Sequence, residues 1–187
     1  MNKGIFLTLL ITLMTFGFAK AQDSKPTKEP LKITKFSDYQ CPACKFYGQI
    51  LDKAKEEFGD RIEVTYKNYP LRMHQHANLA ARAAEAAKVQ GKFIEMHEMI
   101  FVGQEQWSRG NAEAIFIGYA KELGLDMDQF KADINSARMN RIVLADKREG
   151  NALGVNSTPT FFIEGEKVTR MPQNYEGFKA LLESKMK

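Results

Sequence analysis

Two cysteines, Cys41 and Cys44, are the only ones in the 187-residue chain, and they are separated by two residues in the stretch FSDYQCPACKFYG. A pair at this spacing supports three chemistries: a structural disulfide, half of a metal site, or a thiol pair that exchanges with other disulfides. A bridge closing so short a loop removes little entropy from the unfolded chain, because that effect grows with the logarithm of loop length. A zinc site needs two further ligands. His74 and His76 are available, with His97 further along, but a His-x-His spacing is unusual and there is no second CxxC. A softer set from MHQH (73–76) and MHEM (96–99) would suit Cu(I), although methionines of this kind more often fill core space. No metal site is expected.

The exchange reading has positional support. After the pair, Phe46, Ile50, Leu51, Ala54 and Phe58 recur at three and four residues, which predicts an amphipathic helix stopped by Gly59. Pro42 suits the first turn of that helix, where its missing N–H would have had no partner. Cys41 then stands at the helix N-terminus, where unpaired N–H groups and the positive end of the dipole favour a thiolate. Cys44, one turn further in, is the resolving thiol. A second signal lies far away, in GVNSTPTFFI, where Pro159 directly precedes an apolar strand. An ordinary turn is the plain reading; a cis-proline loop apposed to the CxxC is the sharper one.

The elements that must position these residues can be read from periodicity. LKITKFS (31–37) reads as a strand with Leu31, Ile33 and Phe36 toward a core, and RIEVTYKNYP (61–70) as a second, so the first third is a βαβ unit with parallel strands. From His74 the pattern is helical: HANLAARAAEAAKVQG with small residues at helical spacing, KFIEMHEMIFVG, NAEAIFIGYAKELG with Asn111 as cap, DMDQFKADINS and RMNRIVLADKREGNALG. STPTFFIEGEKVTRM reads as a β-hairpin turning at Gly165, and NYEGFKALLESKMK as a closing helix. The expected organisation is a βαβ part at 31–73, a helical insertion at 74–152 and a ββα part at 153–187.

Composition sets the remaining bounds. With 44% hydrophobic and 27% charged residues the chain is neither disordered nor fibrous. Lys3, the uncharged run GIFLTLLITLMTFGF and the small-x-small AKA at 19–21 read as a secretion leader, 1–21, with the mature chain starting near Gln22. As a membrane anchor the run falls short of the ~20 residues a spanning helix needs. The polar segment 22–30 reads as a flexible tether. Without Lys3 and Lys20 the 27 basic residues become 25 against 23 acidic ones, and the formal charge drops from +4 to +2. The basic residues are dispersed, so neither nucleic acid nor anionic lipid is an expected partner. Export into an oxidising compartment would let the cysteine pair rest as a disulfide.

FSDYQCPAC at the end of a strand, YPLRMHQHANLAARAAEAA opening a helical block, and GVNSTPTFFI leading the last hairpin together resemble the DsbA-like thioredoxin-fold proteins. The resemblance runs from about Leu31 to Lys187. It implies an α/β thioredoxin fold (βαβ … ββα) with an all-helical insertion, and thiol–disulfide exchange with cysteine-containing exported polypeptides, in the direction of disulfide introduction. It also implies a Cys41–Cys44 redox disulfide, Cys41 as the exposed nucleophile, Cys44 as the buried partner, Pro159 as the cis-proline and Thr158 as the residue presenting backbone groups to an extended substrate. Recharging would come from a membrane redox partner, and no cofactor is required. Two departures bear on tuning. Many members place a buried acid six residues before the nucleophile, and here that position is Lys35. The dipeptide Pro42-Ala43 between the thiols offers no side-chain donor, which weakens the case for a strong oxidant and leaves a reductase or isomerase as the alternative. A Lys35 pointing toward Cys41 would favour the thiolate; one pointing to solvent would be an ordinary strand lysine.

Overall fold

The computed structural model describes residues 29–186. The leader 1–21 and the tether up to residue 28 lie outside the described residues.

A four-stranded sheet in the order β2-β1-β3-β4 carries the fold. β1 (Leu31–Ser37) is central, parallel to β2 (Ile62–Asn68) on one side and antiparallel to β3 (Thr160–Ile163) on the other, with β4 (Glu166–Lys167) at the edge. Between β1 and β2 runs α1 (Pro42–Phe58), which buries Ile50, Leu51, Ala54 and Phe58 and ends where Gly59 takes a positive φ of 52°. The chain is therefore a thioredoxin fold, and α2 to α7 are the helical insertion between its two parts: α2 (Ala77–Val89), α3 (Phe93–Val102), α4 (Gln104–Arg109), α5 (Ala112–Glu122), α6 (Met127–Ile134) and α7 (Ala137–Ala152). α8 (Tyr175–Lys185) closes the chain.

Two cores meet under the site. Leu31 and Ile33 of β1 pack with Leu51 and Ala54 of α1, Phe161 of β3 and Phe178 of α8. The helical core is centred on α2, whose alanines at 80, 81, 84 and 87 have almost no exposed surface and let α3, α5, α6 and α7 approach closely. Tyr39, Cys41 and Cys44 belong to this second core, so the cysteine pair sits at the seam between sheet and helices. Phe36 faces the opposite side of β1, edge-on to Tyr69 and Phe162.

Two expectations are corrected. The second hairpin strand is not KVTRM but only Glu166–Lys167; the turn has φ of 50° at Glu164 and 77° at Gly165, as tight primed turns require, and after one more bond, from Val168 N to Phe161 O at 2.9 Å, the edge chain leaves the sheet ahead of Pro172. α4 was not anticipated, because its six residues carry one large apolar side chain, the buried Trp107, and so show no period.

Candidate active site

Cys41 is the N-cap of α1, with extended backbone (φ −80°, ψ 120°), and Pro42 opens the first turn. The geometry follows from the sequence CPAC: proline at the first helical position fixes φ, and the turn closes through Cys44 N donating to Cys41 O at 3.0 Å. Cys41 thus stands at the end of the helix but is not the exposed nucleophile expected: packed against the cis-proline loop and the helical core it keeps only 8% of its surface exposed, while Cys44 has none. Both are free thiols here, so the structure describes the dithiol form of the pair.

The cis-proline loop lies against them. The Thr158–Pro159 peptide bond is cis, and the Cys41 thiol donates to Thr158 O at 3.4 Å. Thr158 Oγ1 is buried and makes no ordinary hydrogen bond. Its side chain is nevertheless among the groups that lower Cys41, as a donor toward the thiolate form of the sulfur.

The two thiols are strongly polarised. Cys41 is lowered from 9.0 to about 5, first by hydrogen bonding from the Cys44 thiol and then by Thr158 and the backbone N–H groups of Cys44 and Ala43, against an opposing burial effect. Cys44 is raised well above the ordinary value, chiefly by burial and by its contacts with Cys41. Asp38 N donates to Cys44 Sγ at 3.4 Å and partly offsets that. Ala43 acts through its backbone alone, as expected of a side chain without donors.

Lys35 points neither to solvent nor simply at Cys41. The alternation that turns Leu31 and Ile33 inward carries Lys35 to the same face, under α1, where it is fully buried. Its Nζ donates to Cys44 O at 3.2 Å and lies 5.3 Å from the centre of the Phe101 ring. Burial lowers it from 10.5 to about 8, while Cys44, Asp52 and Cys41 pull it back up.

Residues not singled out from the sequence hold the loop. The buried Asp38 carboxylate accepts from Gln40 N at 2.7 Å, from Leu71 N at 2.7 Å and pairs with His74 Nδ1 at 2.8 Å. Gln104 of α4, also buried, donates through Nε2 to Tyr39 O at 2.7 Å and Cys41 O at 3.1 Å. Apart from Gln40, two residues after Asp38, their partners are 33 to 65 residues away, so little in the local sequence marks these two. His74 is therefore a loop strut, while His97 is buried against Tyr39, whose hydroxyl is 2.7 Å from its Nδ1. No group of three or more His, Cys, Asp or Glu side chains able to hold a metal ion occurs among the described residues.

A strand-end CxxC at a helix N-terminus, facing a loop with a cis-proline across the seam of a thioredoxin sheet, defines a class. The thioredoxin family profile matches residues 26–184, and the chain belongs to that family. Among solved structures, BdbD from Bacillus subtilis in its oxidised form superposes with a TM-score of 0.73 at 21% identity, covering 84% of this chain and 88% of that one. The alpha-DsbA1 protein of Wolbachia pipientis gives 0.71 at 18%, covering 85% and 87%, and MdbA of Actinomyces oris, a thiol-disulfide oxidoreductase, 0.67 at 16%, covering 83% and 80%. The fold is thus DsbA-like. In sequence, the chain is 34% identical over 143 residues to a protein named Na(+)/H(+) antiporter NhaA 1 of Mycobacterium sp. (strain KMS), and equally to the NhaA of Herminiimonas arsenicoxydans. It spans only 22% of the length of each of these relatives. Among the described residues no helix is long and apolar enough to cross a membrane.

Proposed function

We propose that the chain is an exported thiol:disulfide oxidoreductase that introduces disulfides into cysteine-containing polypeptides through the Cys41–Cys44 pair. One observation carries the reading: the thiolate of Cys41 is stabilised to about 5 while its partner is held protonated. Stabilising the reduced thiolate makes the disulfide a better oxidant. A value near 5 lies between those of reducing and strongly oxidising members of such folds, about 7 and about 3.5.

In the reaction a substrate thiolate attacks Cys41 Sγ of the disulfide, forming a mixed disulfide while the Cys41–Cys44 bond breaks and Cys44 leaves. A second substrate thiolate then attacks the substrate sulfur of that mixed disulfide, and Cys41 departs as a stable thiolate. The substrate loses two electrons and the enzyme gains them. Thr158 would offer its backbone to an extended substrate beside Pro159, which supplies affinity without demanding a particular sequence. The leader at 1–21 would deliver the chain to an oxidising, extracytoplasmic compartment, where a membrane redox partner would restore the disulfide. The exchange as written requires neither a metal nor an organic cofactor.

The reduction potential, measured by equilibration with glutathione, tests the direction. A value closer to about −120 mV than to about −270 mV supports disulfide introduction; one near about −270 mV replaces it with a reductase on the same fold.

A further inference from the structure

The segment between β2 and α2 is strapped to the reactive loop. Leu71 N donates to Asp38 Oδ2 at 2.7 Å, His74 Nδ1 pairs with the same oxygen at 2.8 Å, and His76 N donates to Gln40 Oε1 at 2.8 Å. Gln40 immediately precedes Cys41. A chain that docks against residues 71–76 is therefore next to the loop that carries the reacting sulfur.

This segment forms one wall of a groove of about 260 Å³, and α7 forms the other. Leu71, Arg72 and His74 line the first side, Leu144 and Lys147 the second, and Asn78 comes from the first turn of α2. The lining is apolar and basic, with no Asp or Glu in it. Lys147 Nζ donates to Pro70 O at 2.5 Å and stands 5.5 Å from the centre of the Tyr69 ring, so its charge is held at the groove. Arg141 and Arg148 lie three residues before and four after Leu144, which puts all three on one exposed face of α7.

None of Arg72, Arg141, Lys147 and Arg148 pairs with a carboxylate among the described residues. The acids of the neighbouring elements are already engaged: Asp146 and Glu149 of α7 hold Lys67, and Asp38 holds His74. Cations gathered on one rim repel one another and attract an anion between them. Apolar surface accompanies the charge. Leu144 is 39% exposed, and Met73, next to Arg72 in the chain, is 82% exposed. The groove is smaller than the about 300–1,000 Å³ of typical small-molecule pockets, which suits a side chain or two of a longer polypeptide passing over it.

We propose that this groove is a substrate subsite: it takes an acidic, extended stretch of the polypeptide whose cysteine reacts with Cys41. Asp or Glu side chains of that stretch sit among Arg72, Lys147 and the two α7 arginines, and an apolar neighbour covers Leu71 and Leu144. The chemistry at Cys41 is unchanged. Backbone pairing beside the cis-proline is indifferent to sequence, and the groove adds a preference for cysteines that have acids nearby in the chain. Because its wall is hydrogen-bonded to the residue before Cys41, the expected spacing is about three to six extended residues, at about 3.3 Å each. Charge pairs of this kind act mainly on the rate of encounter, and salt screens them.

The subsite rests on the exchange reading above. It is tested by rapid-quench measurement of the reduction of the oxidised full chain by three short peptides. Each carries two cysteines and, beginning about four residues away, a run of glutamates, glutamines or lysines. Rates are expressed per peptide thiolate, because neighbouring acids raise a thiol's pKa. At low salt the glutamate peptide should react about fivefold to tenfold faster than the glutamine peptide, and the lysine peptide more slowly than either. The order should collapse in about 0.5 M salt. Arg72 and Arg148 are exposed and unpaired, so the double variant Arg72→Gln, Arg148→Gln should fold, and it should bring the glutamate peptide to within about twofold of the glutamine peptide. Lys45→Gln removes a cation of α1 outside the groove and should leave the ratio in place. Equal rates for the glutamate and glutamine peptides, a ratio that survives the double variant, or one that Lys45→Gln abolishes equally overturns the subsite. A dimer in sedimentation that the double variant dissociates assigns the groove to a second copy of the chain and overturns it too. In each of these cases the disulfide still exchanges, so the exchange reading survives; a disulfide that none of the peptides reduces overturns both.

Discussion

Replacing Lys35 by methionine should make the protein more stable, and the size of the gain follows from the structure. Methionine is apolar and of similar length, so it can fill the site between β1 and α1 without a cavity. The helix carbonyl of Cys44 keeps its place in the α1 ladder. What disappears is a buried charge. Lys35 falls from 10.5 to about 8 in the folded chain. Below pH 8 it is protonated in both the folded and the unfolded chain, and the folded state bears the whole penalty. A displacement of about 2.5 units at about 1.4 kcal/mol each gives roughly 3 kcal/mol. Between pH 8 and 10.5 the unfolded chain binds more protons, so stability should rise with pH and the penalty vanish at the top of the window. In the disulfide form the attractions of Cys41 and Cys44 are absent, so the penalty there is at least as large. Urea unfolding of the oxidised wild type and Lys35→Met proteins reads this directly. At pH 7 the variant should gain about 2 to 3 kcal/mol, and the difference should shrink above pH 8. A variant destabilised by more than about 1 kcal/mol, or a pH-dependent rise that persists without the lysine, would refute the reasoning.

Other outcomes follow from individual contacts. Thr158→Val keeps the shape of the loop but removes the hydroxyl that donates to the Cys41 thiolate; the alkylation midpoint of Cys41 should rise by about 1 to 2 units, and an unchanged midpoint would remove Thr158 from the site. Asp38→Ala strips the acceptor from Gln40 N, Leu71 N and His74, and denaturant unfolding should show a loss of about 2 to 4 kcal/mol. Gly150→Ala would place a Cβ 2.8 Å from Tyr69 Cδ2 and 3.0 Å from the Phe36 ring, so its melting temperature should fall by the equivalent of about 1 to 3 kcal/mol, whereas a neutral result would mean the α7 contact can relax.

Much of this architecture was written in local patterns. The alternation in LKITKFS, the apolar spacing after CPAC and the β-branched run before Asn68 each describe one element, and each formed. The resemblance of the CxxC, the helical block and the threonine-proline step placed three distant segments in one site. Lys35 is instructive because its burial was legible and left open: Leu31 and Ile33 facing inward put residue 35 on the same face, but its charge argued for solvent. The anchors Asp38 and Gln104 carried little local signal, since their roles exist only once Leu71, His74, Tyr39 and Cys41 are brought to them by the fold. Gly48 is likewise ambiguous in a helical pattern until the lysine beneath it is seen.

The central claim is that the pair is polarised, with Cys41 the reacting sulfur. The rate of alkylation of each cysteine in the reduced protein, resolved by mass spectrometry as a function of pH, measures it. The account predicts a Cys41 midpoint near 5 and a Cys44 that stays unreactive far above it. A Cys41 midpoint at or above the free-cysteine value of about 8.5, or modification of Cys44 first, would contradict it.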